Sequence, residues 1–136
     1  MSASPLSTRT ASVLVVEDNM DAADSIARFL RLSSGYAVRV AYTGETGVKM
    51  ALADPPDAII CDIALPKLDG FRVAQELADL LRVKPLMIAV TAFGGIYPEG
   101  RARAAGFDHY LTKPADPFAI ESLIGDHIQR RKSDQD

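Results

Sequence analysis

Short apolar runs alternate with stretches of helical spacing along most of the chain. Val13-Leu14-Val15-Val16 is a continuous, mostly β-branched run, the pattern of a strand covered on both faces. A helix is predicted over 21–32, with Ala22, Ile26, Phe29 and Leu30 at helical spacing and Ser33-Ser34-Gly35 as its stop. Residues 36–41 alternate around Val38 and Val40, which places a second strand near a sheet edge. A helix over 44–53 carries Val48, Ala51 and Leu52 on one face and ends at Pro55-Pro56. Ala58-Ile59-Ile60-Cys61 reads as a third strand. Phe71, Ala74, Leu77, Ala78 and Leu81 mark one face of a helix over 68–81. Leu86 to Val90 forms the fourth strand, 99–105 a helix opened by Pro98 and stopped by Gly106, and His109-Tyr110-Leu111 the fifth strand. Asp116-Pro117 looks like a cap and first turn, followed by Ile120, Leu123, Ile124 and Ile128 on one face. Five strands alternating with five helices predict an α/β fold whose parallel sheet is covered on both sides.

Ligands of open α/β sheets bind at the carboxyl ends of strands, near the switch in strand order. Glu17 and Asp18 follow the first strand, Asp62 the third and Thr91 the fourth, while Lys113 and Pro114 lie just beyond the fifth. If the first and third strands are neighbours, about 4.8 Å apart, three carboxylates converge in one cleft. Like charges at contact distance need a cation between them. Oxygen-only ligands favour a hard ion, Mg²⁺ or Mn²⁺, over zinc. A lysine and a threonine facing such an ion suit phosphoryl transfer, where positioning and charge neutralisation do most of the catalysis.

Composition narrows the classes further. The chain has 136 residues, a size for one domain, and a net charge of −3, which argues against nucleic-acid binding by charge alone. Its single cysteine, Cys61, excludes an intramolecular disulfide and a cysteine-based zinc site. Apolar runs such as 86–90 are far shorter than the roughly 20 residues that span a bilayer. No secretory signal pattern opens the chain, so the expected setting is cytoplasmic, without membrane contact. Residues 1–11 are expected to form a disordered arm, 12–129 the domain, and 130–136 a solvated tail whose Arg130-Arg131-Lys132 complements a helix end. Cys61 reads as a small buried hydrophobe, His109 as a surface residue, and Asp69-Gly70 as a turn that starts a helix.

Four motifs in order resemble the receiver domains of two-component response regulators. They are Val13 to Asp18, Asp62 with Leu65-Pro66-Lys67-Leu68-Asp69-Gly70 behind it, Thr91-Ala92, and Tyr110-Leu111-Thr112-Lys113-Pro114. The resemblance implies a CheY-like, flavodoxin-type (βα)5 fold with strand order 2-1-3-4-5. It implies that Asp62 accepts a phosphoryl group from a histidine kinase or a histidine phosphotransfer protein. Asp18, Asp62 and the backbone carbonyl of Ala64 would hold Mg²⁺, with Glu17 acting through a water. Thr91, Ala92 and Lys113 would bind the phosphoryl group, Lys113 pairing with Asp62 beforehand. Thr91 and Tyr110 would form the switch, and Pro114 would follow a cis peptide bond. Apart from its own phosphorylation and dephosphorylation, no enzymatic activity is implied.

The departures are specific. Ala64, two past the acceptor, and Phe93, two past Thr91, stand where family members often carry polar residues, so both are expected to tune the lifetime of the phosphoryl group. Ala115-Asp116-Pro117 departs from the pattern common in DNA-binding members. About 20 residues fall outside the domain, too few for an output module. Output is therefore expected through protein contact at the fourth helix, fifth strand and fifth helix, with a homodimer as an alternative use of that face. The chain would be a stand-alone regulator or a domain excised from a hybrid kinase or larger regulator. A haloacid-dehalogenase-type phosphatase would need an acid at position 64, and a flavin carrier a Ser/Thr/Gly-rich loop in place of Glu17-Asp18-Asn19.

Overall fold

A computed structural model describes residues 10–92 and 96–135 of the chain. The elements run β1 (Ser12–Val16), α1 (Met20–Ser34), β2 (Ala37–Ala41), α2 (Gly44–Ala53), β3 (Ala58–Asp62), α3 (Gly70–Leu80), β4 (Leu86–Thr91), α4 (Glu99–Ala105), β5 (His109–Thr112) and α5 (Pro117–Gln135). The strands form one sheet in the order β2-β1-β3-β4-β5, the expected CheY-like topology. All four pairings are parallel. The direction of winding reverses between β1 and β3, where Val16 stands opposite Cys61. The carboxyl ends of these two strands therefore lie side by side at the switch point.

Alternation within each strand explains the unbroken apolar runs. Leu14, Val16, Ile59, Cys61, Met87 and Ala89 point to one face, against α2, α3 and α4 residues such as Val48, Val73, Leu77 and Ala102. Val13, Val15, Ile60, Ile88 and Val90 point to the other, against Ala23, Ala27 and Leu30 of α1 and Ile120 and Ile124 of α5. A strand buried on both faces has no room for polar side chains until it ends. The polar residues are thus concentrated where the strands stop.

Side-chain caps set the helix starts. Asn19 accepts the amide of Ala22 at 3.0 Å, Thr43 that of Thr46 at 3.0 Å, Asp69 that of Arg72 at 3.0 Å and Asp116 that of Phe118 at 2.9 Å. The third helix consequently begins at Gly70, two residues later than its apolar spacing suggests. Lys67 has a φ of 66°, a left-handed conformation that no helix interior accepts.

The ends of the chain differ from expectation in two places. Ala11, expected in the disordered arm, accepts the amide of Ala37 at 2.9 Å; residues 1–9 lie outside the described part. Helix α5 runs on to Gln135, so most of the stretch expected to be a solvated tail is helical. The cause is a tether that helical spacing alone does not announce. Arg131 reaches Asp57, just before β3, at 3.2 Å, and Asp57 is only 7% exposed while also accepting the amide of Ser12 at 2.8 Å. No helix among the described residues is long and apolar enough to cross a membrane.

One turn before Arg131, Nε2 of His127 is buried without a hydrogen-bond partner among the described residues. Burial holds the His127 imidazole below its ordinary pKa; Arg131 and Arg130 push the same way, against Asp108 and Asp57. The native state therefore favours neutral His127, while the unfolded chain takes up a proton near the ordinary value. Its contribution to stability is full above that value and is lost as pH falls through the lower native value. Urea unfolding at pH 7.5 and pH 5 should show a steeper loss of stability for the wild type than for His127→Gln; equal losses would contradict this.

Candidate functional site

The site forms where β1, β3, β4 and β5 end. Glu17 leaves β1 with its amide donating to Ala41 at 3.0 Å, which turns its carboxylate inward, where the residue is 7% exposed. Glu17 Oε2 accepts the amide of Asn19 at 3.1 Å. Asp18, the next residue, is exposed. Asp62 is the last residue of β3 and 6% exposed. Its Oδ1 accepts the amide of Ala64 at 3.0 Å, so the loop that follows holds one edge of the carboxylate. One carboxylate oxygen from each of Glu17, Asp18 and Asp62 lies within 4.8 Å of the others.

Lys113 crosses to this cluster from beyond β5. Its amide donates to the Thr91 carbonyl at 2.8 Å, and the bond to Pro114 is cis. Nζ donates to Asp62 Oδ2 at 3.2 Å and also to Glu17 Oε1. The resemblance to receiver domains implies the Asp62 bond; the bond to Glu17 is additional. Burial pulls the ammonium toward a lower pKa, but the Glu17 bond and the charge of Asp62 outweigh it and leave Lys113 above its ordinary value. Burial also raises the Glu17 carboxyl above its ordinary value, opposed by the bonds from Lys113 and the Asn19 amide and reinforced by the charge of Asp62.

Two buried carboxylates thus share one ammonium, with the Asp18 carboxylate beside them. The donor set is all oxygen and one member is open to solvent, which fits a hard divalent ion that keeps part of its water shell. The residues present therefore suit Mg²⁺ or Mn²⁺ and offer nothing soft for zinc or copper.

Thr91, the last residue of β4, is fully buried, and Ala92 beyond it is exposed. Ala64 is half-buried. Phe93 and the Gly94-Gly95 pair lie outside the described residues. Tyr110, on β5, is half-buried, and its hydroxyl donates to the Tyr97 carbonyl at 2.5 Å. The Tyr97 ring meets Phe71 edge-on at 5.8 Å, and the Arg101 guanidinium lies 4.3 Å over the Phe71 ring. Tyr97 was not singled out in the sequence, because its link to Tyr110 runs through a backbone carbonyl that every residue carries. Cys61, beside Asp62, is buried, its thiol donating to the Asp62 carbonyl at 3.3 Å; burial raises its pKa strongly and keeps it protonated. A cavity of about 450 Å³ adjoins the carboxylates between α1 and α5, lined by Ile26, Ile60, Val90 and Ile120.

Comparison with known proteins bears on this arrangement. Residues 13–124 match the family model of the response regulator receiver domain. The response regulator MprA of Mycobacterium ulcerans is 34% identical over 112 residues, covering 82% of this chain. The chain spans only 46% of the length of that relative. A CheY-like receiver domain protein from Methanospirillum hungatei superposes with a TM-score of 0.82 at 24% identity, over 93% of this chain and 99% of that one. A receiver domain protein from Clostridium thermocellum does so with a TM-score of 0.80 at 25% identity, over 90% of this chain and 97% of that one. With the strand order and the family match over most of its length, the chain belongs to the receiver domains of two-component response regulators.

Proposed function

We propose that Asp62 is the phosphoacceptor of a two-component phosphorelay and that a phosphohistidine of a histidine kinase or a histidine phosphotransfer protein is the donor. The observation that carries this reading is the Asp62 carboxylate, set between an acidic pair and Lys113 at the switch point of the sheet. An Asp62 oxygen attacks phosphorus in line, the bond from phosphorus to the histidine nitrogen breaks, and that nitrogen keeps the electron pair. Asp18, Asp62 and the Ala64 carbonyl would hold Mg²⁺, with Glu17 acting through a water. When bound, the ion neutralises charge that the acceptor and the phosphoryl group would otherwise repel. Lys113 moves from Asp62 to a phosphoryl oxygen, and the Thr91 hydroxyl and the Ala92 amide bind the others.

Thr91 and Tyr110 act as the switch. Once Thr91 turns toward the phosphoryl group, Tyr110 follows, and its bond to the Tyr97 carbonyl connects that motion to the start of α4. Output then passes to a protein partner through α4, β5 and α5, either a separate target or a second copy of the chain, with no direct contact to nucleic acid. Because the chain covers under half of MprA, the activity of any longer protein that contains it is part of this proposal.

Incubation with an acyl phosphate and Mg²⁺ should add the mass of one phosphoryl group to the intact wild type. The same gain in Asp62→Asn, or in the wild type with a chelator present, would refute the assignment.

Replacing Lys113 removes the one ammonium between two buried carboxylates. Lys113→Met should lower the unfolding free energy at neutral pH by about 2 kcal/mol in the absence of divalent ions, and Mg²⁺ should restore more stability to it than it adds to the wild type. An unchanged urea midpoint would show that Lys113 does not offset the carboxylates.

The phosphoryl group is lost when a positioned water attacks it, and neither Ala64 nor Phe93 has a side-chain atom that can hold such a water. A single orienting hydrogen bond of about 1 kcal/mol changes a rate several-fold. Ala64→Asn, alone or with Phe93→Glu, should therefore shorten the phosphoryl lifetime several-fold, followed as phosphate release. A double variant no faster than the wild type would remove both positions from the account of lifetime.

A further inference from the structure

The loop between Asp62 and α3 carries two parts of the proposed site, the Ala64 amide on the acceptor carboxylate and the Ala64 carbonyl. Its two ends are tied to each other and to Asp62. The Ile63 carbonyl accepts the amides of Leu65 and Gly70, both at 2.9 Å, and the Ala64 amide is held by Asp62. Its outer arm, Pro66-Lys67-Leu68, has exposed Pro66 and Lys67 and turns through the left-handed Lys67.

That arm is stopped by a different helix. A methyl carbon at Gly44, the first residue of α2, would stand 2.2 Å from the Leu68 carbonyl oxygen and 3.1 Å from Leu68 Cβ. The backbone of α2 is thus pressed against the loop at a distance no side chain permits. At the loop's other end, a methyl carbon on Gly70 would stand 2.6 Å from the Asp62 carbonyl and 2.7 Å from Ile63 Cα. Gly47, one turn into α2, differs in kind: a carbon there would meet only the Val16 side chain, at 2.9 Å and 3.0 Å.

Helix α2 is poorly placed to retreat. Thr43 caps its start, and the Arg39 guanidinium binds carbonyls at its end, Met50 at 3.2 Å and Asp54 at 2.6 Å. A side chain at position 44 would therefore displace the loop rather than the helix. We infer that Gly44 is a positioning residue of the phosphorylation site: the bare start of α2 is the stop that sets where the Ala64 carbonyl stands relative to Asp62 and Asp18. The inference rests on the proposed metal-dependent function and extends it to a residue outside the strand-end motifs.

The two hard ions separate positioning from folding. Mg²⁺ demands near-ideal octahedral geometry, whereas Ca²⁺ accepts flexible coordination. A displaced carbonyl should therefore harm Mg²⁺ binding selectively, while partial unfolding would weaken both ions alike. Titration calorimetry with MgCl2 and with CaCl2 on wild type, Gly44→Ala and Gly47→Ala tests this. Gly44→Ala should bind Mg²⁺ about tenfold more weakly, the range seen when supporting contacts of a metal site are lost, with a much smaller change for Ca²⁺. Gly47→Ala should lower the melting temperature and leave the Mg²⁺ affinity near that of the wild type. Unchanged Mg²⁺ affinity in Gly44→Ala, or equal weakening of both ions, would overturn the inference and leave the proposed function standing. A wild type that binds no Mg²⁺ would overturn that function, and this inference with it. If Gly44→Ala does not fold, amide exchange on the wild type decides: Mg²⁺ should slow exchange at residues 44–47 together with 64–70, and slowing of 64–70 alone would overturn the inference.

Discussion

Crowding of negative charge at the ends of β1 and β3 governs this molecule. Glu17 and Asp62 are almost wholly buried, and Asp18 stands beside them. A folded chain keeps such a group only if something positive stands within reach, and Lys113 supplies it by touching both buried members. That single side chain explains why β5 and the turn after it belong to the site. Its amide donates to the Thr91 carbonyl, so a backbone hydrogen bond couples the segment carrying the cation to the strand carrying the threonine. An incoming phosphoryl group meets a cluster already short of positive charge, which is why a divalent ion and a mobile lysine are both part of the proposed chemistry.

The sheet makes this crowding tolerable. Burial on both faces excludes polar side chains from the strand interiors, and parallel pairing aligns all the carboxyl ends at one edge. The topology reverses between β1 and β3, so the two strands that end in acids are also the two that splay their connections to opposite faces. Caps then place the helices: Asn19 begins α1 two residues after Glu17, and Asp69 begins α3 at the close of the loop that follows Asp62.

What could be read in the sequence was whatever depends on local pattern. Val13 to Val16 and Ala58 to Cys61 read as strands because β-branched, apolar runs bounded by polar residues have few other uses. Glu17, Asp18, Asp62 and Lys113 could be grouped because strand ends converge. The parts that escaped depend on contacts between distant backbone atoms or on one long-range pair. Arg131 looked like part of a solvated tail because nothing near it in sequence announces Asp57, yet that pair carries α5 on toward Gln135. The helix over 68–81 was read two residues early because apolar spacing is blind to a cap, and the Asp69 side chain claims the Arg72 amide. Tyr97 meets the Tyr110 hydroxyl through a carbonyl, and Gly44 meets Leu68 through a missing side chain, neither of which marks a residue type for chemistry.

The division of the interior into two half-cores has a consequence for how such a protein diverges. Residues against α1 and α5 and residues against α2, α3 and α4 are separated by a full layer of backbone. Substitutions on one side therefore act nearly independently of those on the other, as free energies of distant sites add. The lining of the α1–α5 cavity can therefore change while the packing beneath α4 stays as it is. Descent can then remodel the two halves in separate steps, with the charged strand ends held constant between them.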